Sequence, residues 1–134
     1  MTKRASGTFE VKVIPQKPDN KVAEGAKLGR FSLDKKFHGD LEATSTGEML
    51  SAGDPRSSGA YVALERVSGS LDGRSGSFVL QHKATMTRGV PEMSVTVVPD
   101  SGTDGLVGIS GSMTIRIEEG KHFYDFEYTL PATQ

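Results

Sequence analysis

The stretch that decides the fold is residues 59–87, "GAYVALERVSGSLDGRSGSFVLQHKATMT". Apolar and polar residues alternate on both sides of Asp72-Gly73, and that dipeptide is a strong two-residue hairpin signal because glycine readily takes the positive φ such a turn needs. With the turn placed there, Leu71 falls opposite Arg74, Val67 opposite Phe78, Glu65 opposite Leu80 and Ala63 opposite His82. One face then holds Tyr61, Glu65, Val67, Phe78, Leu80, His82 and Met86, and a one-residue slip would mix it with the polar face. An ionisable pair, Glu65 and His82, sits on the apolar side.

A second hairpin is read the same way. A turn at Glu119-Gly120 in "RIEEGKHF" pairs Glu118 with Lys121, Ile117 with His122, Ile115 with Tyr124, Met113 with Phe126 and Gly111 with Tyr128. Arg116, Thr114, Ser112, Asp125 and Glu127 go to the opposite face. No window of the chain carries an apolar stripe at helical spacing. Eight strands are predicted, near 7–15, 28–38, 40–50, 59–71, 74–86, 93–99, 109–118 and 121–130. "PQKPDNKVAEGAK" (15–27) is the one long polar connection, with room for a helical turn. "GDPRSSG" and "PDSGTDG" read as exposed loops.

Glycine is abundant, at 16 of 134 residues, and part of it lies in a small repeat: "SGSL", "SGSF" and "SGSM". Glycine inside a strand marks a bend or bulge, often where a barrel turns a corner. Gly69 faces Gly76, and Gly111 sits beneath Tyr128, where a ring can cover bare backbone. Repeated bending favours closure into an all-β, single-domain, eight-stranded antiparallel up-and-down barrel over residues 1–134. A barrel of that size is filled by side chains or holds one small ligand.

Composition narrows the function. There is no cysteine, so thiol catalysis, thiolate metal sites and disulfides are absent. The start carries no apolar run of the secretory kind, no segment approaches the roughly 20 apolar residues of a membrane span, and a cytoplasmic location is expected. Lys plus Arg number 16 against 17 Asp plus Glu, without a basic stripe, so neither nucleic acid nor a membrane is an expected partner. No G-x-S-x-G elbow, phosphate loop or dinucleotide fingerprint occurs, and no cofactor is implied.

Four stretches, "FHGDLEATSTGEML", the 59–87 hairpin, "MSVTVVPDSGTDGLVGISGSMTI" and "HFYDFEYTLP", together resemble a bacterial family of small proteins known only as a domain of unknown function. The resemblance covers about residues 7–131. That family is similar to the allene oxide cyclase-like barrels, which include plant allene oxide cyclase and bacterial spirotetronate cyclases. The resemblance implies an eight-stranded up-and-down barrel and carries no catalytic motif with it.

The candidate site follows from the inward face. Glu65 and His82 are either an acid–base pair or a mutually satisfied core pair. Tyr61, Phe78, Leu80, Tyr124, Phe126 and Tyr128 are expected to line a ligand pocket, with ordinary core packing as the competing reading. Lys35 shares its face with Phe31, Leu33 and Phe37, and reads as an electrostatic anchor or as a side chain reaching the rim. No metal site is expected: in an up-and-down barrel, His38 and His122 should lie at opposite rims, out of reach of a common shell with His82. The function expected is binding of a small, largely apolar metabolite, with an isomerase or cyclase acting inside the barrel, or a filled structural barrel, as alternatives. Exposed Val62 and Leu64 point to a homodimer.

Overall fold

A computed structural model describes residues 2–17, 28–54 and 56–131. Eight strands are hydrogen-bonded in chain order and close on themselves: β1 Lys3–Gln16, β2 Leu28–Gly39, β3 Leu41–Gly53, β4 Gly59–Leu71, β5 Arg74–Thr87, β6 Val90–Val97, β7 Ser110–Glu118 and β8 Lys121–Thr129. Every neighbouring pair is antiparallel, including β1 with β8, so the all-β eight-stranded barrel stands. Both hairpin registers fall where the sequence puts them, with Ala63 opposite His82 and Ile115 opposite Tyr124. Asp72 and Gly73 both have positive φ, 48° and 86°, as the tight turn demands. Strand β6 begins and ends earlier than expected, at Val90 and Val97, because Arg88-Gly89 turns the chain directly out of β5. Of the 15–27 connection, Pro15 and Gln16 belong to β1, and the helical turn allowed for it falls on 18–27, outside the described residues.

The two ends of the barrel differ. The lower end holds the Asp72-Gly73 turn and residues 98–109, which fold back across the opening onto β5. There the Thr103 amide donates to the Ser77 carbonyl at 2.9 Å and the Ser77 amide donates to the Thr103 hydroxyl at 3.0 Å. Leu106, within a short 3₁₀ turn at Asp104–Leu106, and Ile109 are thereby buried in the floor. Above them Leu41, Leu71, Phe78, Phe126 and Tyr128 pack without solvent contact, Phe126 stacked between Phe78 and Tyr128 at centroid distances of 5.7 and 5.3 Å. Burial of such a side chain contributes about 1.5–3 kcal/mol, and this half of the barrel is where most of it is concentrated.

The upper end flares. Val13, Met93 and Ile117 occupy inward positions by register, opposite Leu33, Ala84 and His122, yet are 47, 51 and 64% exposed. The ladder is also incomplete on one side: β6 and β7 share a single residue pair, Thr96 with Ser112. On the outer wall Leu50, Val62 and Leu64 form an exposed apolar strip among charged neighbours.

Candidate functional site

Midway along the barrel, three inward strands supply a closed polar cluster around the Glu65 carboxylate. Glu65 and His82 are diagonal across the β4–β5 pair, since each lies two residues from the other's direct partner. His82 Nε2 stands 2.5 Å from Glu65 Oε2. Lys35 arrives from β2, on the far side of β3, and its Nζ donates to the same oxygen at 2.7 Å. Two residues of β3 permit that crossing. Ser45 lies directly opposite Lys35 and donates its hydroxyl to Oε1 at 2.8 Å. Gly47 lies opposite Glu65, and a Cβ there would fall 2.8 Å from that of Glu65.

Burial pushes the Glu65 carboxyl up. The hydrogen bond from His82 and the charges of Lys35 and His82 outweigh that and hold it down at about 2. The carboxylate therefore stays ionised and His82 donates to it through Nε2. The Lys35 ammonium is further held 5.1 Å from the centroid of Phe9 and 5.9 Å from that of Phe37. Among the described residues no fully buried side-chain polar atom lacks a partner. A carboxylate held this low is a weak proton acceptor at neutral pH, so what the cluster supplies most directly is a fixed, charge-balanced layer under the upper half of the barrel.

Toward the upper end lies a cavity of about 470 Å³. Phe31, Met49, Ser51, Tyr61, Ala84, Met86 and Met93 present inward positions to it, from five consecutive strands. Tyr61 is directly opposite Ser51 across the β3–β4 ladder. Burial, and then the charge of Glu65, raises its phenol above the ordinary value, so the hydroxyl is a donor at physiological pH. A larger, shallower depression of about 790 Å³ lies on the outer wall over Leu50, Val62 and Leu64. Glu65 and His82 border it only from behind, because their side chains point into the barrel.

The expected site residues thus divide. Glu65, His82 and Lys35 are brought together, and Tyr61 lines the cavity. Phe78, Leu80, Tyr124, Phe126 and Tyr128 belong to the packed lower core and do not line that cavity. The Tyr124 hydroxyl accepts from the Leu41 amide and donates to the His38 carbonyl, both at 2.9 Å, and its phenol is pushed up to about 12, chiefly by burial. The Tyr128 hydroxyl donates to the Asp72 carboxylate, tying β8 to the β4–β5 turn. Ser45, Ser51, Met49 and Met93 were not marked as site residues by sequence. Their inward parity is the signal that points to them.

The histidine geometry needs correction. His38 and His122 are not at opposite rims: Thr8 pairs with His38 and the adjacent Phe9 with His122, so both stand level with the middle of β1. The strand tilt that closes a barrel staggers β8 against β2 by nearly a strand length. They still face different ways. His38 is on the outside, 2.9 Å from Glu10, and His122 packs its ring on Phe9 at 5.0 Å. Among the described residues no group of three or more His, Asp or Glu is placed to hold a metal ion, and no helix is long and apolar enough to cross a membrane.

The comparisons with known proteins agree with this architecture. A crystal structure of a protein with unknown function from the DUF3224 family of Shewanella oneidensis MR-1 is 46% identical over 99% of this chain and 100% of that one, with a TM-score of 0.91. No curated protein matches. The model of the DUF3224 family, described as a protein of unknown function, matches residues 5–128. A barrel with a filled lower half, a buried Lys35–Glu65–His82 cluster and an apolar upper cavity is therefore the form taken here by a family without an assigned activity, and the chain belongs to DUF3224.

Proposed function

We propose that this protein binds a small, largely apolar molecule in the upper cavity of the barrel. The observation that carries the reading is the cavity of about 470 Å³ walled by Phe31, Met49, Tyr61, Ala84, Met86 and Met93. A space of that size suits one small ligand, and apolar walls with few polar groups are what such sites use. The buried cluster beneath it keeps the floor rigid and dry. Native mass spectrometry of the purified protein, followed by titration with the neutral dye Nile red, tests this. Saturable one-to-one binding that Ala84→Phe removes supports it. An unliganded mass together with no saturable dye binding overturns it and favours a barrel that acts through its outer surface.

A second reading, an isomerase or cyclase of the allene oxide cyclase-like kind, draws on the Tyr61 hydroxyl in the cavity with the Glu65 charge behind it. It requires the bound molecule to leave with unchanged mass and altered retention on chromatography, and Glu65→Gln to stop that conversion in protein that still binds. Conversion undiminished in that variant removes Glu65 from the chemistry.

A further inference from the structure

The cavity's polar groups say what kind of molecule it takes, and this step rests on the binding reading above. Ser51 and Tyr61 are direct cross-strand partners at inward positions of β3 and β4, and both line the cavity. The two hydroxyls do not meet: the Ser51 hydroxyl leans toward β2, 2.7 Å from where a Cβ on Gly29 would stand, while Tyr61 stands on the other side of β3. Both residues are half-buried and neither hydroxyl makes a hydrogen bond within the described residues, so each is open to a group that enters the cavity. Both are neutral groups on an otherwise apolar lining, and the Tyr61 hydroxyl, at the end of the longer side chain, is the donor that can reach a ligand's carbonyl oxygen.

Charge is excluded from the same space. Among the described residues no Lys, Arg or His lines the cavity. Glu92 is the one charged residue there, and it alternates with inward Pro91 and Met93, which places its side chain on the outer face. The basic side chains of the inner cluster, Lys35 and His82, are both committed to Glu65 Oε2. A ligand carboxylate would lose its water and gain no counter-ion. The remaining walls are thioethers and rings: Met49, Met86 and Met93 with Phe31 and Tyr61. Thioether sulfur makes favourable contacts with aromatic rings, and aromatic faces stack on flat π-systems.

We infer that the ligand is a neutral, flat, conjugated molecule bearing a carbonyl oxygen, which the Tyr61 hydroxyl holds while the methionines and Phe31 clasp its ring.

The test is displacement of Nile red by three naphthalenes of matched size: methyl naphthyl ketone, isopropenylnaphthalene and naphthoate. The ketone should bind about tenfold tighter than the hydrocarbon, and naphthoate weaker than both. Tyr61→Phe should bring ketone and hydrocarbon to within about twofold of each other and leave the hydrocarbon where it was, whereas Ser51→Ala should leave their ratio unchanged. Naphthoate binding as tightly as the ketone, or a ketone preference unmoved by Tyr61→Phe, overturns the inference alone, provided dye binding is lost in Ala84→Phe. Met86→Trp, nearer the rim, serves as the obstruction if Ala84→Phe does not fold by circular dichroism. Dye binding that survives the obstruction, or no dye binding at all, overturns the cavity reading and this inference with it.

Discussion

Lys35 reaches Glu65 across an intervening strand: Nζ lies 2.7 Å from Oε2, although β3 runs between them. The pair is buried at both ends, Glu65 being 1% exposed. A charge left without its partner in such a place is expensive. Glu65→Gln should therefore destabilise the fold by about 3–5 kcal/mol, and Lys35→Met with Glu65→Leu in one chain should recover most of that loss. Urea denaturation of Glu65→Gln, of Lys35→Met and Glu65→Leu singly, and of the double variant measures both. Additive losses in the double variant would show that the pair is not coupled.

Acid should weaken the protein through the same carboxylate. The Glu65 carboxyl is held at about 2 in the fold, against 4.5 for an unperturbed glutamate. The unfolded chain therefore binds this proton first as pH falls. The stabilisation is whole above about pH 4.5 and drains away between that value and about pH 2. Other carboxylates titrate in the same window, so the diagnostic quantity is a difference. Stability measured at intervals from pH 5 to 2 should fall more steeply in the natural protein than in Glu65→Gln. Parallel curves would mean that Glu65 titrates alike in both states.

Two glycines separate space from backbone conformation. A Cβ at Gly47 would stand 2.2 Å from the Leu64 carbonyl oxygen and 2.7 Å from the Glu65 Cα, both backbone atoms with little room to give. At Gly73 nothing lies within 4 Å, but φ is +86°. Gly73→Ala should cost about 1 kcal/mol, the ordinary penalty of a left-handed turn position. Gly47→Ala should cost about 2–3 kcal/mol, because two strands must part. Thermal melts of the two variants give the order, and equal losses would remove the steric argument.

Tyr124 should matter to the fold and not to the cavity. Its hydroxyl satisfies the Leu41 amide at the lower end, and without it that amide is buried unpaired. Tyr124→Phe should cost about 1–3 kcal/mol in denaturation and leave Nile red affinity unchanged. A weakened dye affinity in folded Tyr124→Phe would extend the site downward into the core.

Much of this was legible in the residues. Asp72-Gly73 and Glu119-Gly120 each fix a register, and period-two alternation then assigns every inward side chain, which is how Glu65 and His82 could be paired by sequence alone. Height along the barrel axis is not written in alternation. Tyr61 and Tyr128 share inward parity, yet one lines a cavity and the other plugs the floor, because residues 98–109 close one end only. Nor does pairing of neighbours reveal contacts that skip a strand. Lys35 read as a solitary lysine because its partner stands two strands away, visible only once Gly47 is seen to clear the path. Strand stagger hid the level of His38 and His122 for the same reason: it accumulates around the whole barrel and no single hairpin displays it.

The pairing of β1 with β8 has a consequence for how the chain is made. Each other ladder joins neighbours in sequence, and several need only a tight turn, whereas Lys3 meets Tyr128 from opposite ends of the molecule. Closing so long a loop costs entropy that no local contact offsets, so the hairpins form first as a curled, open ribbon and the circle is completed last. On a ribosome this step waits for the final strand to emerge. Until then Phe78 lacks the Phe126 ring that stacks on it, and the nascent ribbon carries two bare edges into a crowded solution.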